Sequence, residues 1–199
     1  MRRLMLALPF ALLPLVAVQA ANHAHDHAHE AHGSLNAHEH GLAQLNVVLD
    51  GQALELELES PAMNLVGFEH AAKSDADKAK VAAARSQLQD PLALFGLNAG
   101  ACTVSKQELE SPLFAAEEKQ HAHGHKHKHE EQHDDHDSEH SEIHAHYQLD
   151  CKTPGELKQL DLKELFKRFP ATTKIQVQLI GPNGQQGLEL TPPQPTLSF

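Results

Sequence analysis

The sequence predicts an α+β fold: an antiparallel sheet built from hairpins, with two or three helices and a long disordered histidine-rich loop. Apolar and polar residues alternate strictly on both sides of Asp50-Gly51, which predicts a β-hairpin. Apolar residues recur at helical spacing after Ser74, which predicts a helix. Residues 121–146 hold ten of the chain's eighteen histidines and almost no apolar residue, so this tract cannot form a core of its own.

The first twenty residues have the pattern of a secretory signal peptide. Arg2 and Arg3 precede an apolar run from Leu4 to Val18, and small residues lead up to Ala20, after which we expect cleavage. The run is shorter than the roughly 20 residues that a membrane-spanning helix needs. We therefore expect an exported protein with no membrane span after cleavage.

The chain is acidic. Its formal net charge of −11 becomes −13 when Arg2 and Arg3 leave with the signal peptide. Without basic patches such a chain is not expected to bind nucleic acid, whose phosphates attract clustered lysine and arginine. The one HExxH match, HEEQH at 129–133, stands in the tract predicted to be unfolded and not on a helix, where zinc hydrolases carry this motif. We therefore expect no enzymatic activity and assign no catalytic residues.

We divide the rest of the chain into a histidine-rich extension at 21–37 and one α+β domain at 38–199, with a histidine-rich loop inserted at 115–142. In the extension, four histidines stand at alternate positions: His23, His25, His27 and His29. On an extended backbone, alternate residues point the same way about 7 Å apart, so H-x-H can chelate there but not on a helix.

The helices are predicted from their ends. Ser60-Pro61 resembles a helix cap followed by proline at the first helical position, and this short helix should end near Phe68. Ser74 begins a longer helix that Pro91 bends or ends. Its buried stripe consists of apolar residues about one turn apart, Val81, Ala84 and Leu88.

Further strands follow from alternation. Residues 101–113 and 143–151 each form a strand, and 175–190 form a hairpin that turns at Gly181-Pro182-Asn183-Gly184. Between them, Leu160 and Leu162 alternate as in a strand, whereas the apolar residues of 165–169 recur as on a helix, and the pattern leaves the boundary open.

The two halves of the domain suggest an approximate twofold internal repeat. Each half opens with an H-x-H motif, at His38 and at His144, and continues through a turn and a leucine-rich segment. Each then reaches a short helix, ending near Phe68 in the first half and near Phe169 in the second.

The two cysteines, Cys102 and Cys151, lie almost symmetrically about the histidine tract. In an exported chain we favour a disulfide between them, formed if 101–113 and 143–151 are antiparallel neighbours. Such a bond would clamp the base of the tract. The alternative is that both cysteines contribute to a metal site.

The histidines favour divalent metal binding. Neutral imidazole suits Zn²⁺, Ni²⁺ and Cu²⁺, and zinc prefers four nitrogen, sulfur or oxygen donors. Cu(I) is disfavoured because it prefers sulfur ligands, and Met63 is the only methionine after the signal peptide. We therefore expect several zinc ions, with nickel and copper as alternatives.

Two kinds of site are expected. The tract is an unstructured collector of weakly held ions, because ordering the chain offsets part of the coordination energy; its candidate ligands are His121, His123, His125, His127, His129, His133, His136 and His140. The folded body should hold metal more tightly, and its candidate ligands are His38, His40, Glu69, His70, His144 and His146. Two alternatives stay open: that His70 is a structural histidine, and that the tract is only a solubilising spacer.

Several segments resemble the ZrgA-like family of periplasmic zinc-binding proteins: HEHGLAQLNVVLDG, ESPAMNLVGFEH, HAHYQLDC and KELFKRFP. The resemblance covers roughly residues 38–199, and GFEH at 67–70 is its most specific part. It implies a zinc-regulated protein of the Gram-negative periplasm that captures Zn²⁺ and assists its uptake beside an ABC-type zinc importer. The alternative is a periplasmic buffer or detoxification sink for zinc, nickel or copper.

Overall fold

The computed structural model of the chain describes residues 38–114 and 141–199. The predicted signal peptide, the extension at 21–37 and residues 115–140 lie outside the described residues, and so do the eight histidines of the tract from His121 to His140. Within the described part, no helix is long and apolar enough to cross a membrane.

A six-stranded sheet forms the body of the domain, in the order β3-β4-β2-β1-β6-β7. Its strands are β1 (Leu42–Asp50), β2 (Ala53–Pro61), β3 (Cys102–Glu110), β4 (Glu142–Cys151), β6 (Lys174–Gly181) and β7 (Gly184–Leu190). All neighbours are antiparallel except β1 and β6, which pair in parallel. The predicted α+β class and the mainly antiparallel sheet are confirmed.

One face of the sheet is buried and the other faces solvent. In the β1–β2 hairpin the apolar residues Leu45, Val47 and Leu56 are almost fully buried, whereas the glutamates between the leucines of β2 point outward. This follows from the two-residue period of a strand. The predicted hairpin is confirmed, and Gly51 adopts the positive φ of 57° that its tight turn requires.

Four α-helices, three of them short, pack on the buried face within the described residues, where the sequence predicted two or three. They are α1 (Ala62–Val66), α2 (Asp75–Leu88), α3 (Pro91–Leu94) and α4 (Lys163–Arg168). The Ser74 hydroxyl caps α2 by accepting from the backbone N–H of Asp77, and Val81, Ala84 and Leu88 are buried as predicted. The Ser60-Pro61 prediction is wrong in detail, since Pro61 ends β2 at the N-cap position and Ser60 caps nothing.

The segment at 160–169, where the sequence pattern left the boundary between strand and helix open, contains one short strand and one short helix. A short β5 (Gln159–Asp161) precedes α4 and pairs with β8 (Thr196–Ser198) in a second, two-stranded sheet. Because β5 pairs with β8 and not with β4, the second half has no counterpart of the β1–β2 hairpin. The internal repeat is therefore not confirmed.

Tyr147 joins the sheet to the helical layer. Its ring is fully buried on β4 and makes an edge contact with Phe95, with ring centroids 5.6 Å apart. Its hydroxyl donates to the backbone carbonyl of Leu88, at the end of α2, over 2.8 Å. Burial raises the pKa of Tyr147, which keeps the hydroxyl protonated and able to donate.

The predicted disulfide between Cys102 and Cys151 is present, and the two residues are cross-strand partners on β3 and β4. Its predicted position relative to the tract is wrong. The chain enters residues 115–140 after the end of β3 and leaves them before the start of β4, near the pair of Glu110 and His144, whereas the disulfide joins the opposite ends of these strands.

Replacing both cysteines, as Cys102→Ser with Cys151→Ser, should lower the free energy of unfolding by about 4 kcal/mol, the value expected from chain entropy for a closed loop of this size. Urea denaturation of the variant, compared with the oxidised and the reduced parent protein, measures this difference. An unchanged free energy of unfolding would show that the disulfide constrains the unfolded chain little.

Candidate metal centre

Three side chains converge at one end of the sheet: His38, His40 and Glu69. The two histidines lie just before β1, and Glu69 lies just after α1. Nε2 of His38 is 2.8 Å from Oε1 of Glu69, and Nε2 of His40 is 3.1 Å from the same oxygen. The side chain of Glu69 is 7% exposed and that of His38 is 10% exposed, whereas that of His40 is 51% exposed.

These three residues can each direct one donor atom at a common point. Their ligand atoms all lie within 4.8 Å of one another. In a tetrahedral zinc site with bonds of about 2.0–2.1 Å, neighbouring donors are about 3.3 Å apart, so small side-chain movements would complete the geometry. Three protein donors leave a fourth position for water or for a donor from another protein.

His70 is not part of this convergence, although it follows Glu69 directly. Its ring stacks on that of Phe68, with centroids 4.7 Å apart and planes inclined by 16°. Its Nδ1 lies 3.0 Å from the backbone carbonyl of Ala71, and the side chain is exposed. Of the candidate ligands on the folded body, the structure brings together His38, His40 and Glu69 and leaves His70 apart.

His144 and His146 lie elsewhere, on the outward face of β4. His146 is placed between Glu55 and Glu108, with Nε2 2.6 Å from the first carboxylate and Nδ1 3.5 Å from the second. His144 is 3.6 Å from the carboxylate of Glu59. The sequence grouped these histidines with those before β1, whereas the structure separates the two pairs.

The family model for ZrgA family zinc uptake proteins matches residues 37–199. The chain belongs to this family. No curated protein matches it. Membership implies a role in zinc uptake and the binding of a divalent metal ion, and the His38–His40–Glu69 centre provides nitrogen and oxygen donors suited to zinc.

Glu142 contacts the centre of this ZrgA family protein and is not among the ligands predicted from the sequence. Its Oε1 lies 3.2 Å from Nδ1 of His38. A carboxylate at Nδ1 keeps the proton on that nitrogen, which leaves Nε2 to face the metal, as in many zinc sites. One signal was available: Glu142 stands two residues before His144 and therefore, on a strand, projects from the same face.

Asn64 fixes the turn that carries the two histidines. This buried residue of α1 accepts from the N–H of Gly41 over 2.6 Å and donates to the carbonyl of Leu42 over 2.9 Å. Gly41 has φ +88°, and an added Cβ would come within 2.8 Å of Oγ1 of Thr173. The turn therefore requires both the glycine and the buried amide.

Ser141 fixes the other side of the centre. Its hydroxyl donates to the backbone carbonyl of Glu69 over 2.7 Å, and its own carbonyl accepts from Ala62 at the start of α1. On the other side of 115–140, Ser111 donates from its hydroxyl to the carbonyl of Glu142 over 2.8 Å. The described residues that flank the tract thus lie next to the centre.

Asn64→Ala should weaken zinc binding about 10-fold or more, as loss of residues that support ligands commonly does. It should also lower the free energy of unfolding by about 1–3 kcal/mol, because the N–H of Gly41 loses its partner. Competition with a chromophoric chelator measures the zinc affinity of the tightest site, and urea denaturation measures the stability.

The matched control is Asn183→Ala, which removes an asparagine from the β6–β7 turn at the opposite end of the sheet, where its side chain donates to the carbonyl of Phe199. It should leave the zinc affinity unchanged. An Asn64 variant that loses stability but binds zinc like the parent would contradict the positioning role.

Proposed function

We propose that the chain is a periplasmic protein that captures Zn²⁺ at the His38–His40–Glu69 centre and assists its uptake alongside an ABC-type zinc importer. The observation that carries this proposal is a buried carboxylate contacted by two imidazoles, in a chain of a zinc uptake family. We further propose that the protein binds and delivers the ion and catalyses no reaction.

The donor set supports zinc as the cargo. The two imidazole nitrogens are borderline ligands and the carboxylate oxygen is a hard ligand. Zinc accepts both kinds in tetrahedral geometry. Ca²⁺ and Mg²⁺ prefer sites made wholly of oxygen. Cu(I) prefers sulfur, and both cysteines of the chain are in the disulfide. Ni²⁺ and Cu²⁺ remain as alternatives, because they accept the same donors.

The unequal exposure of the ligands supports capture followed by release. Glu69 and His38 are held in the protein, which reduces the entropy lost when the ion binds. His40 is half exposed, so one side of the centre is open to solvent. An incoming donor can therefore reach the metal without unfolding of the domain, as a transfer to an importer requires.

Zinc binding should displace protons from this centre. Each imidazole Nε2 that faces Glu69 must give up any proton before it can bind a metal. After that exchange, the N–H at Nδ1 of His38 can still donate to Glu142. Binding should therefore weaken as the pH falls, because protons compete with zinc for the same nitrogens.

The decisive test is the substitution of the centre in the full mature chain. His38→Ala and Glu69→Gln should each weaken the tightest zinc-binding step by more than about 100-fold, because a ligand matters more than its supporting residues. Isothermal titration calorimetry in the presence of a competing chelator measures this step apart from weaker sites.

His70→Ala is the matched control, since it removes a histidine next to Glu69 whose ring faces Phe68 and not the centre. It should leave the tightest step unchanged. Equal losses in His70→Ala and His38→Ala, or no loss in either variant of the centre, would refute the proposed capture site.

The histidine count favours one second candidate, a buffer or detoxification sink for zinc, nickel or copper, because eighteen histidines could hold many ions. The two functions predict opposite regulation. Capture for uptake predicts that transcript levels rise on zinc starvation, whereas a sink predicts that they rise on metal excess. Measurement of the transcript in zinc-depleted and zinc-loaded cultures distinguishes them, and induction by excess alone would contradict the uptake function.

A further inference from the structure

A second group of metal-ligating side chains lies outside the centre, on the solvent face of β2, β3 and β4. The strand register sets imidazoles between carboxylates in two rows: His144 pairs with Glu59 and Glu110, and His146 pairs with Glu57 and Glu108. All of these residues except Glu59 line a cavity of about 500 Å³, which we call the sheet-face cavity. The histidines and glutamates of these two rows belong neither to the hydrophobic core nor to the His38–His40–Glu69 centre.

The two histidines of the sheet-face cavity are accessible and already contact oxygen atoms. The side chain of His144 is 44% exposed and that of His146 is 26% exposed. Because they are alternate residues of one strand, their rings project from the same face, as an H-x-H pair must in order to share a metal ion. The carboxylate of Glu55 lies 2.6 Å from Nε2 of His146 and that of Glu108 lies 3.5 Å from its Nδ1, so the ring can share a metal ion with only one of them at a time, and Glu55 is the closer.

The electrostatic field of the sheet-face cavity favours a cation. Among the described residues that line it there are four glutamates and no lysine or arginine. Lys106 stands beside the cavity, where it pairs with Glu108 and offsets part of this negative charge. The remaining clustered carboxylates raise the local concentration of divalent cations.

Glu142 connects the sheet-face cavity with the centre. Its Oε1 lies 3.2 Å from Nδ1 of His38, and its Oε2 lies 3.5 Å from Nε2 of His144. One carboxylate thus faces a histidine of each group. Its side chain is 36% exposed, so it stands at the border between solvent and the buried centre.

We propose that the sheet-face cavity is a second zinc site, weaker and faster to exchange than the His38–His40–Glu69 centre, from which zinc passes to the centre past Glu142. This proposal rests on the proposed function and adds the route by which zinc reaches the centre. Exposure makes the site weaker, because water competes for the ion and solvent screens the carboxylates. Its four glutamates attract the cation from solution and so favour zinc binding there on the way to the centre.

Histidine footprinting tests the second site in the full mature chain. Zinc chloride is titrated, unliganded imidazoles are modified with diethylpyrocarbonate, and mass spectrometry of peptides reads each histidine separately. We expect protection of His38 and His40 at low zinc, and protection of His144 and His146 at a free zinc concentration at least about 10-fold higher. Because each histidine is read separately, zinc binding by His121 to His140 does not mask protection at either site.

Each outcome bears on one of the two proposals. Protection of His38 and His40 without any protection of His144 and His146 at saturating zinc overturns the second site and leaves the proposed function standing. Protection of His144 and His146 alone refutes the capture centre and retains the sheet-face site.

The entry route is tested by the kinetics of loading. In the double variant His144→Ala with His146→Ala, protection of His38 by zinc should reach the same final level but at a rate at least about 10-fold lower in quenched-flow footprinting. Gln148→Ala, at the next outward position of β4, is the control and should load like the parent. Circular dichroism checks that both variants fold. An unchanged loading rate in the double variant overturns the route.

Discussion

The burial of the Glu69 carboxylate is the constraint on which the site depends. A carboxylate that is 7% exposed has lost most of its hydration, which is costly unless nearby donors or a cation replace the water. His38 and His40 provide such groups, and Ser141 holds the backbone carbonyl of the same residue. A zinc ion would offset the charge more fully, because it brings two positive charges into a region of low dielectric. The burial that makes the bare carboxylate unfavourable thus favours the metal.

The two ends and the two faces of the sheet carry different features. One end gathers the starts of β1, β4 and β6, and it carries the centre and the residues that flank the tract. The other end carries the disulfide, which can constrain the strand pair without touching a ligand. The buried face supplies the rigid frame, and the solvent face presents His144 and His146 among carboxylates. A rigid frame reduces the entropy lost on ion binding, whereas exposed side chains exchange ligands more easily.

The candidate site was predictable in part, and the physical reason differs for each residue. His38 and His40 were found because an H-x-H motif before a strand is a recognisable chelating pattern. Glu69 was found with them, but the neighbouring His70 turns away to stack on Phe68, and adjacency in sequence carries no information about that rotation. Glu142 was missed because it is one acid among many, and its position two residues before His144 indicates a shared face but no contact with His38. Asn64 was missed because one asparagine in a short helix carries no local signal. Their roles arise from contacts to His38 and Gly41, more than twenty residues away in each case.

The sequence by itself determined the elements: the β1–β2 hairpin, the helix capped by Ser74, the pairing of Cys102 with Cys151 and the membership of a zinc uptake family. Alternation, capping and turn residues are local signals, and each is complete within a few positions of the chain. Only the tertiary structure decided that β5 pairs with β8, that the disulfide joins the strand ends opposite those that flank 115–140, and that the four strand-associated histidines form two groups. These features depend on strand order and register, which are set by packing between distant segments and by which face of the sheet is buried.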